Sequence, residues 1–409
     1  MKKLATAIVA MFAALTIARA QADIVEKVTS LRVDADVRPA IGQFVPGDDD
    51  VQHLAYELLI TNWQKQDLRF ASVEIEDAAT GKRLVKFDSK SLEDPIRINT
   101  VPFSGGIGPD NRVLRSGRTA VMAIDVKLPL GARLPAAIRH RFEFESNPNL
   151  QMLLDDGSES SELFAFTKPM PIDRRPPLVI GPPVRGGPWR CGNGFSGGGW
   201  NAHDSMYTFG KKARIHLPQR FGCDFRLVDQ AGEVLRATGT TDLVNSQFYG
   251  QGADVIAVAD GLVVDTLDGV PENVPRVDGK VIPPVPLTEK TWAGNIVALE
   301  IGKGQYAFYA HLVPGSIRVK KGDRVRKGQV LGKVGNSGNS VGPHLHFQVS
   351  RGPELNGHDF LPHIYSGYVL GGYERDRKLD LAKRTRFEFK RRRMRFRVPM
   401  DGAFMTFPR

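Results

Sequence analysis

"GQYAFYAHLVPGSIRVKKGDRVRKGQVLGKVGNSGNSVGPHLHFQV", residues 304–349, decides the fold. Apolar and polar residues alternate over short runs, and glycines at 322, 328, 332, 335 and 338 interrupt them too often for a helix. Tight turns between very short strands give that pattern. Just upstream, "GNIVALEIGKGQYAFYAHL" (294–312) reads as a hairpin turning on Gly302-Lys303-Gly304. "GADVIAVADGLVVDT" (252–266) reads as two apolar stretches joined at Asp260-Gly261. The quoted stretch ends on His344 and His346. In a strand, residues two apart share a face, so these imidazoles point together while Leu345 and Phe347 enter a core. Paired imidazoles on one face commonly hold or serve a metal.

The rest of the chain reads as strands too, which makes the fold class all-β. Lys2 and Lys3 precede an apolar run, Leu4 to Ile17, and Ala18-Arg19-Ala20 follows it. This pattern predicts a signal peptide over 1–20, too short to span a bilayer comfortably. No later run is long and apolar enough to cross, so the mature protein is expected to be exported without a transmembrane segment, to the periplasm or the extracellular cell wall of a bacterium. Residues 23–167 carry several short strands at regular turn spacing, among them "HLAYELLITNW" (53–63) and "TAVMAIDVKLP" (119–129), which predict an immunoglobulin-like β-sandwich. Its histidines, His53 and His140, have no partners nearby in sequence and suggest no chemistry. Residues 168–200 are rich in proline and glycine and read as a linker. A second strand-rich domain follows over 201–365, and then a basic, β-rich segment over 366–409. Within that segment "KRTRFEFKRRRMRFR" (383–397) alternates basic with aromatic or apolar residues, which predicts an amphipathic strand pair with a cationic face.

A formal net charge of +11 predicts attraction to polyanions. With an export signal, anionic cell-envelope polymers held by the basic C-terminal segment are the expected partners, and nucleic acid is not. The two cysteines, Cys191 and Cys223, do not make a disulfide framework, though they could pair. The turns of "GDRVRKGQVLGKV" resemble biotinyl or lipoyl carrier folds, but no Met-Lys-Met stretch offers a modifiable lysine.

From roughly Phe221 to Val349 the chain resembles the lysostaphin-type (LytM-like) zinc metallopeptidases, which are peptidoglycan endopeptidases. Their signatures are H-x-x-x-D and H-x-H, with a further histidine in a Y-x-H-L-like strand. Here the second signature is His344-Leu345-His346, and the intermediate histidine is His311 in "YAHL". The resemblance implies a compact antiparallel β-sheet of duplicated hybrid motif type, Zn2+ as cofactor, and hydrolysis of peptide bridges in cell-wall peptidoglycan. The first signature departs from the family. "RFGCDF" supplies Asp224, but the position four residues earlier is Arg220. A guanidinium has no lone pair to give a metal.

Two upstream histidines remain as candidates, His203 in "GGGWNAHDSMYTF" and His216 in "RIHLPQRFGCD". Variants resembling this sequence carry a histidine in a "GGxW…N…H" stretch, which favours His203; the residues alone leave both open. Cys223 is a poor candidate, because strand alternation turns it to the core with Phe221 and Phe225 when Asp224 faces the groove. The resemblance therefore implies His203, Asp224 and His346 as three zinc ligands with an open fourth position, the mark of a catalytic site. It gives His311 and His344 the task of handling the proton of a zinc-activated water. The competing reading is a catalytically inactive LytM-like module that binds or regulates other wall hydrolases, with Arg220 as its main support.

Overall fold

A computed structural model describes residues 25–93, 99–101, 112–196, 201–204, 206, 208–209, 215–236, 243–276, 280–374 and 391–409. The expected signal peptide and residues 383–390 of the basic tail lie outside these. The regular structure of the described residues is nearly all β; its helical elements are the single turns Ser89–Glu93 and Asn245–Gln247. It divides into two compact units, one of residues 1–42, 56–126 and 133–173, the other of 43–55, 127–132 and 174–409.

The first unit is built on long antiparallel strands. Leu68–Asp77 pairs on one side with Ala137–Phe144 and on the other with Arg83–Phe87, and a separate sheet pairs Val33–Arg38 with Val51–Asn62. In Ala137–Phe144 every second residue is buried, as the strand period requires. His140 is one of these inward residues. Burial pushes its imidazole down to about 3, and its ring sits between the Tyr56 hydroxyl (2.6 Å from Nε2) and Thr167 Oγ1 (2.9 Å from Nδ1). It is a neutral, satisfied core group.

The second unit is organised by one ten-stranded sheet. Its strands in chain order are β1 (Trp189–Gly192), β2 (Cys223–Leu227), β3 (Gly261–Leu267), β4 (Asn295–Gly302), β5 (Gln305–Leu312), β6 (Arg324–Val325), β7 (Leu345–Ser350), β8 (Tyr368–Tyr373), β9 (Arg392–Met394) and β10 (Ala403–Thr406). They lie in the order β6-β3-β4-β5-β7-β2-β1-β10-β8-β9, antiparallel throughout. The β4–β5 hairpin closes through Lys303 and Gly304, and Gly304 takes the left-handed φ of 69° that such a turn demands. On one face Cys223, Phe225, Val297, Leu299, Tyr309, Leu345, Phe347 and Val349 enter a common core. Each fully buried Leu, Val or Phe there contributes about 1.5–3 kcal/mol. Phe221 is not among them. It precedes the strand, at a turn, and stacks instead on Phe195 in a second cluster with Leu217 and Phe360.

The division of the chain differs from the sequence reading in three places. Within 168–200, Met170–Asp173 pairs with Ala137–Phe144 in the first unit, while Leu178–Ile180 pairs with His363–Tyr365 and Trp189–Gly192 is β1 in the second. Within 366–409, β8, β9 and β10 join the same sheet as the histidine strand. Residues 43–55 also belong to this unit. There the buried carboxylate of Asp48 accepts from the Tyr373 hydroxyl (2.8 Å), the Tyr368 hydroxyl (3.1 Å) and the Met400 amide (3.1 Å). His53, in the same segment, does have a partner close in sequence, Asp49 at 3.1 Å. The Cys191–Cys223 disulfide ties β1 to β2, with 5.4 Å between Cα atoms.

Candidate metal centre

The register of three neighbouring strands builds the site. His346 on β7 lies opposite Asp224 of β2 on one side and opposite Ala310 of β5 on the other. Asp224 and His346 therefore leave the sheet on the face opposite the core. His346 Nδ1 is 3.0 Å from Asp224 Oδ1. The other carboxylate oxygen accepts from Asn193 Nδ2 at 2.8 Å, with the Arg226 guanidinium 3.8 Å away. One oxygen of Asp224 is thus fixed by the protein, and Oδ1 is turned to the histidines.

His203 arrives on a turn set by Asn201, whose Oδ1 accepts from the amides of His203 (3.0 Å) and Asp204 (3.1 Å) while Nδ2 donates to Gly194 O (2.7 Å). This is the local bonding that makes asparagine a turn residue. The ring then reaches Asp224, with Nε2 3.3 Å from Oδ1. Gly222 makes room for it, since a Cβ there would stand 3.3 Å from His203 Nδ1 and 2.9 Å from Gln219 O. His216 goes elsewhere, pairing through Nδ1 with Asp359 at 3.1 Å. Among the described residues, the one group of three or more side chains able to hold a metal is His203, Asp224 and His346. Their ligand atoms all lie within 4.8 Å of one another.

The remaining two histidines flank this group. His344 Nε2 is 3.6 Å from Asp224 Oδ1, and its Nδ1 donates to Gly342 O at 2.8 Å. His311, at a left-handed φ of 65°, donates from Nδ1 to Ser337 O at 2.8 Å. Its ring centroid lies 4.8 Å from that of His344 and 6.0 Å from that of His346. A backbone carbonyl can only accept, so in its neutral form each ring carries the proton on Nδ1 and leaves the lone pair on Nε2.

All five residues are buried. Burial pushes the Asp224 carboxyl up, but the facing charges and hydrogen bonds of His203 and His344 outweigh it and hold it well below the usual carboxylate range. Burial lowers His346, and lowers His311 strongly with help from the charges of His344 and His346. His203 is lowered by burial and raised more by Asp224, for a net rise. Two imidazole nitrogens and one carboxylate oxygen converging from buried side chains are a donor set suited to Zn2+.

Arg220 is a feature of its own. It is buried, and its guanidinium nitrogen is 3.4 Å from Asp204 Oδ1, whose side chain is equally enclosed. Burial lowers Arg220 to about 10 and pushes the Asp204 carboxyl up to about 7. The pair ties the turn that carries His203 to the chain just ahead of β2. Sequence reasoning set Arg220 aside as a ligand on its chemistry but did not find its partner. Asn193, Gln219 and Gln348 were also missed; only Gln348 had a signal, the same strand period that joins His344 to His346.

Residues 246–360 match the model of Peptidase family M23. The chain carries an M23 peptidase domain. The matched residues include His311, His344 and His346, with His203 and Asp224 lying N-terminal to them. Over 66 residues the chain is 42% identical to peptidoglycan DD-endopeptidase ShyA of Vibrio cholerae, covering 16% of this chain and 15% of that protein. Over 76 residues it is 40% identical to glycyl-glycine endopeptidase ALE-1 of Staphylococcus capitis, covering 17% and 19%. The chain thus spans less than a fifth of the length of these curated relatives. Among solved structures it is similar to the catalytic domain of the prophage-encoded M23 protein EnpA of Enterococcus faecalis, at 22% identity and a TM-score of 0.22, covering 38% of this chain and 87% of that one. By name the first relative is an endopeptidase of peptidoglycan and the second an endopeptidase of glycyl-glycine bonds.

Proposed function

We propose that the protein is an exported, zinc-dependent endopeptidase that cleaves peptide bonds in peptidoglycan. The observation that carries this reading is the convergence of His203 with Asp224 and His346, which supplies a third donor where the first M23 signature has Arg220 instead of histidine. His203, Asp224 and His346 would hold the ion. Bound there, zinc would lower the pKa of a coordinated water towards ~7 and polarise a carbonyl oxygen.

The chain's own residues supply the rest of the chemistry. When neutral, His344 and His311 each present a bare Nε2, because Gly342 O and Ser337 O hold the Nδ1 proton. A bare imidazole nitrogen beside the metal ligands can take the proton of the attacking water. The resulting imidazolium can stabilise the developing oxyanion and pass its proton to the leaving amine. Asn193 keeps Asp224 Oδ2 occupied, which leaves Oδ1 as the oxygen that would hold the ion. There is no glutamate base on an H-E-x-x-H helix, and the histidine pair takes that role. The arginine-rich residues 391–393, 395 and 397, four of them on or beside β9, are the described part of a cationic surface for anionic envelope polymers.

The two curated relatives named above are specified for different bonds, a DD-crosslink and a glycyl-glycine bridge. The test is release of soluble fragments from purified peptidoglycan of both types by the full chain, with zinc and after chelation. Zinc-dependent cleavage of either wall supports the reading. Zinc binding without cleavage, or neither, favours the regulatory module that Arg220 suggested.

A further inference from the structure

We propose that Gln348 is a positioning residue that fixes the tautomer of His346 and so turns the Nδ1 lone pair of that ring towards the ion; the inference rests on the zinc reading above. Gln348 follows His346 by two residues on β7, shares its face and is fully buried. Its amide cannot be turned round. Nε2 lies 2.8 Å from Leu355 O and 3.3 Å from Pro218 O, and both are backbone carbonyls that only accept. That end is therefore the NH2 group, and the other end is Oε1.

Oε1 lies 2.8 Å from His346 Nε2. Two acceptors do not rest at that distance, so Nε2 carries a proton and donates it. The Gln219 amide is the longer contact to the same nitrogen, at 3.4 Å, and does not compete. A neutral imidazole with its proton on Nε2 has a bare Nδ1. That nitrogen faces Asp224 Oδ1 at 3.0 Å, with His203 Nε2 3.3 Å from the same oxygen. By the same rule a bare Nδ1 does not rest 3.0 Å from that oxygen, so a cation belongs between them, a proton or a metal ion in its place. The chain Leu355–Gln348–His346–Asp224 thus prepares a cation site before any ion arrives. With the opposite tautomer, Nδ1 would present a proton to Asp224 and block ligation. His344 and His311 are fixed by backbone carbonyls in the reverse sense, which separates the ligand from the two rings assigned to proton transfer.

The experiment compares Gln348→Glu with Gln348→Leu in the full chain. Both remove the amide donors to Leu355 and Pro218, so both lose similar thermal stability. Only Glu keeps an acceptor for His346 Nε2. The first readout is a long-range 1H–15N correlation spectrum of metal-free protein labelled at histidine, with His346 assigned from a His346→Gln sample. Wild type and Gln348→Glu should show a protonated Nε2, whereas Gln348→Leu should show the proton divided between the two nitrogens. The second readout is the Zn2+ dissociation constant by competition with a chromophoric chelator. It should weaken about 10–100-fold in Gln348→Leu and much less in Gln348→Glu. A wild-type His346 with Nε2 unprotonated overturns the proposal. So does equal behaviour of the two variants in tautomer and affinity, which would make Gln348 merely structural. Because the tautomer is read without metal, failure of the zinc reading and failure of this proposal are separable.

Discussion

Replacing Arg220 with methionine removes the charge at the one position where the first M23 signature is broken, while keeping much of the side chain's apolar length. The guanidinium is fully buried and 3.4 Å from an equally buried Asp204 carboxylate. Burial already pushes that carboxyl up to about 7 with the arginine present. Removing one partner of a buried pair typically costs about 3–5 kcal/mol, because the other is left uncompensated in a poor dielectric. Replacing both by neutral groups costs little by comparison. Arg220→Met should therefore destabilise the second unit by about 3–5 kcal/mol, and Arg220→Met/Asp204→Asn should recover about 2–3 kcal/mol of that. The assay is equilibrium urea unfolding of the metal-free chain at pH 8 in the presence of a chelator, which keeps metal linkage out of the result. Asp204 follows His203 directly, so the same single variant should also weaken zinc binding. A loss below about 1 kcal/mol in Arg220→Met, or strict additivity in the double variant, would refute the reasoning that the pair anchors this turn.

Three further outcomes follow from the same structure. His344→Ala and His311→Ala should each lower the rate of wall hydrolysis about 10²–10⁴-fold with zinc content unchanged; loss of zinc in His344→Ala with retention in His346→Ala would reverse the two roles. Asp48 has its carboxyl raised by burial to about 6 from the ordinary 3.8, against hydrogen bonds from Tyr373, Met400 and Tyr368. The folded state holds that proton more tightly than the unfolded one, so the contribution is intact below pH ~4 and is lost as pH rises through ~6, by about 3 kcal/mol. Asp48→Asn should thus be more favourable relative to wild type at pH 8 than at pH 4 in urea unfolding, and an equal difference at both would contradict this. Opening the Cys191–Cys223 disulfide, which closes a separation of 32 residues, should cost about 2–4 kcal/mol, checked by urea unfolding with and without reductant. Unchanged stability after full reduction would count against it.

The sequence was most informative where one strand period carried both packing and chemistry. His344, His346, Leu345 and Phe347 sort correctly onto two faces by alternation alone, and Cys223 and Asp224 do the same. The all-β class was readable from the glycine-punctuated runs. Domain limits were not, because the strands concerned are three or four residues long, as in Trp189–Gly192 and Leu178–Ile180, and leave no period to detect. The attachment of residues 43–55 to the second unit rests on contacts such as Asp48 with Tyr368 and Tyr373, more than three hundred residues away in sequence. Sequence reasoning could reject Arg220 as a ligand from its chemistry. It could not supply Asp204 as its partner, because an ion pair across a loop has no spacing rule. For the same reason it weighed His203 against His216 without geometry. The structure brings the first to Asp224 and takes the second to Asp359.

The most direct test of the central claim is the zinc content of the purified full chain beside His203→Ala and His216→Ala, measured by elemental analysis after dialysis against metal-free buffer. A three-donor site built on His203, Asp224 and His346 predicts about one zinc per chain in wild type and in His216→Ala, and a loss of most of it in His203→Ala. Full zinc in His203→Ala, or its disappearance in His216→Ala, would contradict the account.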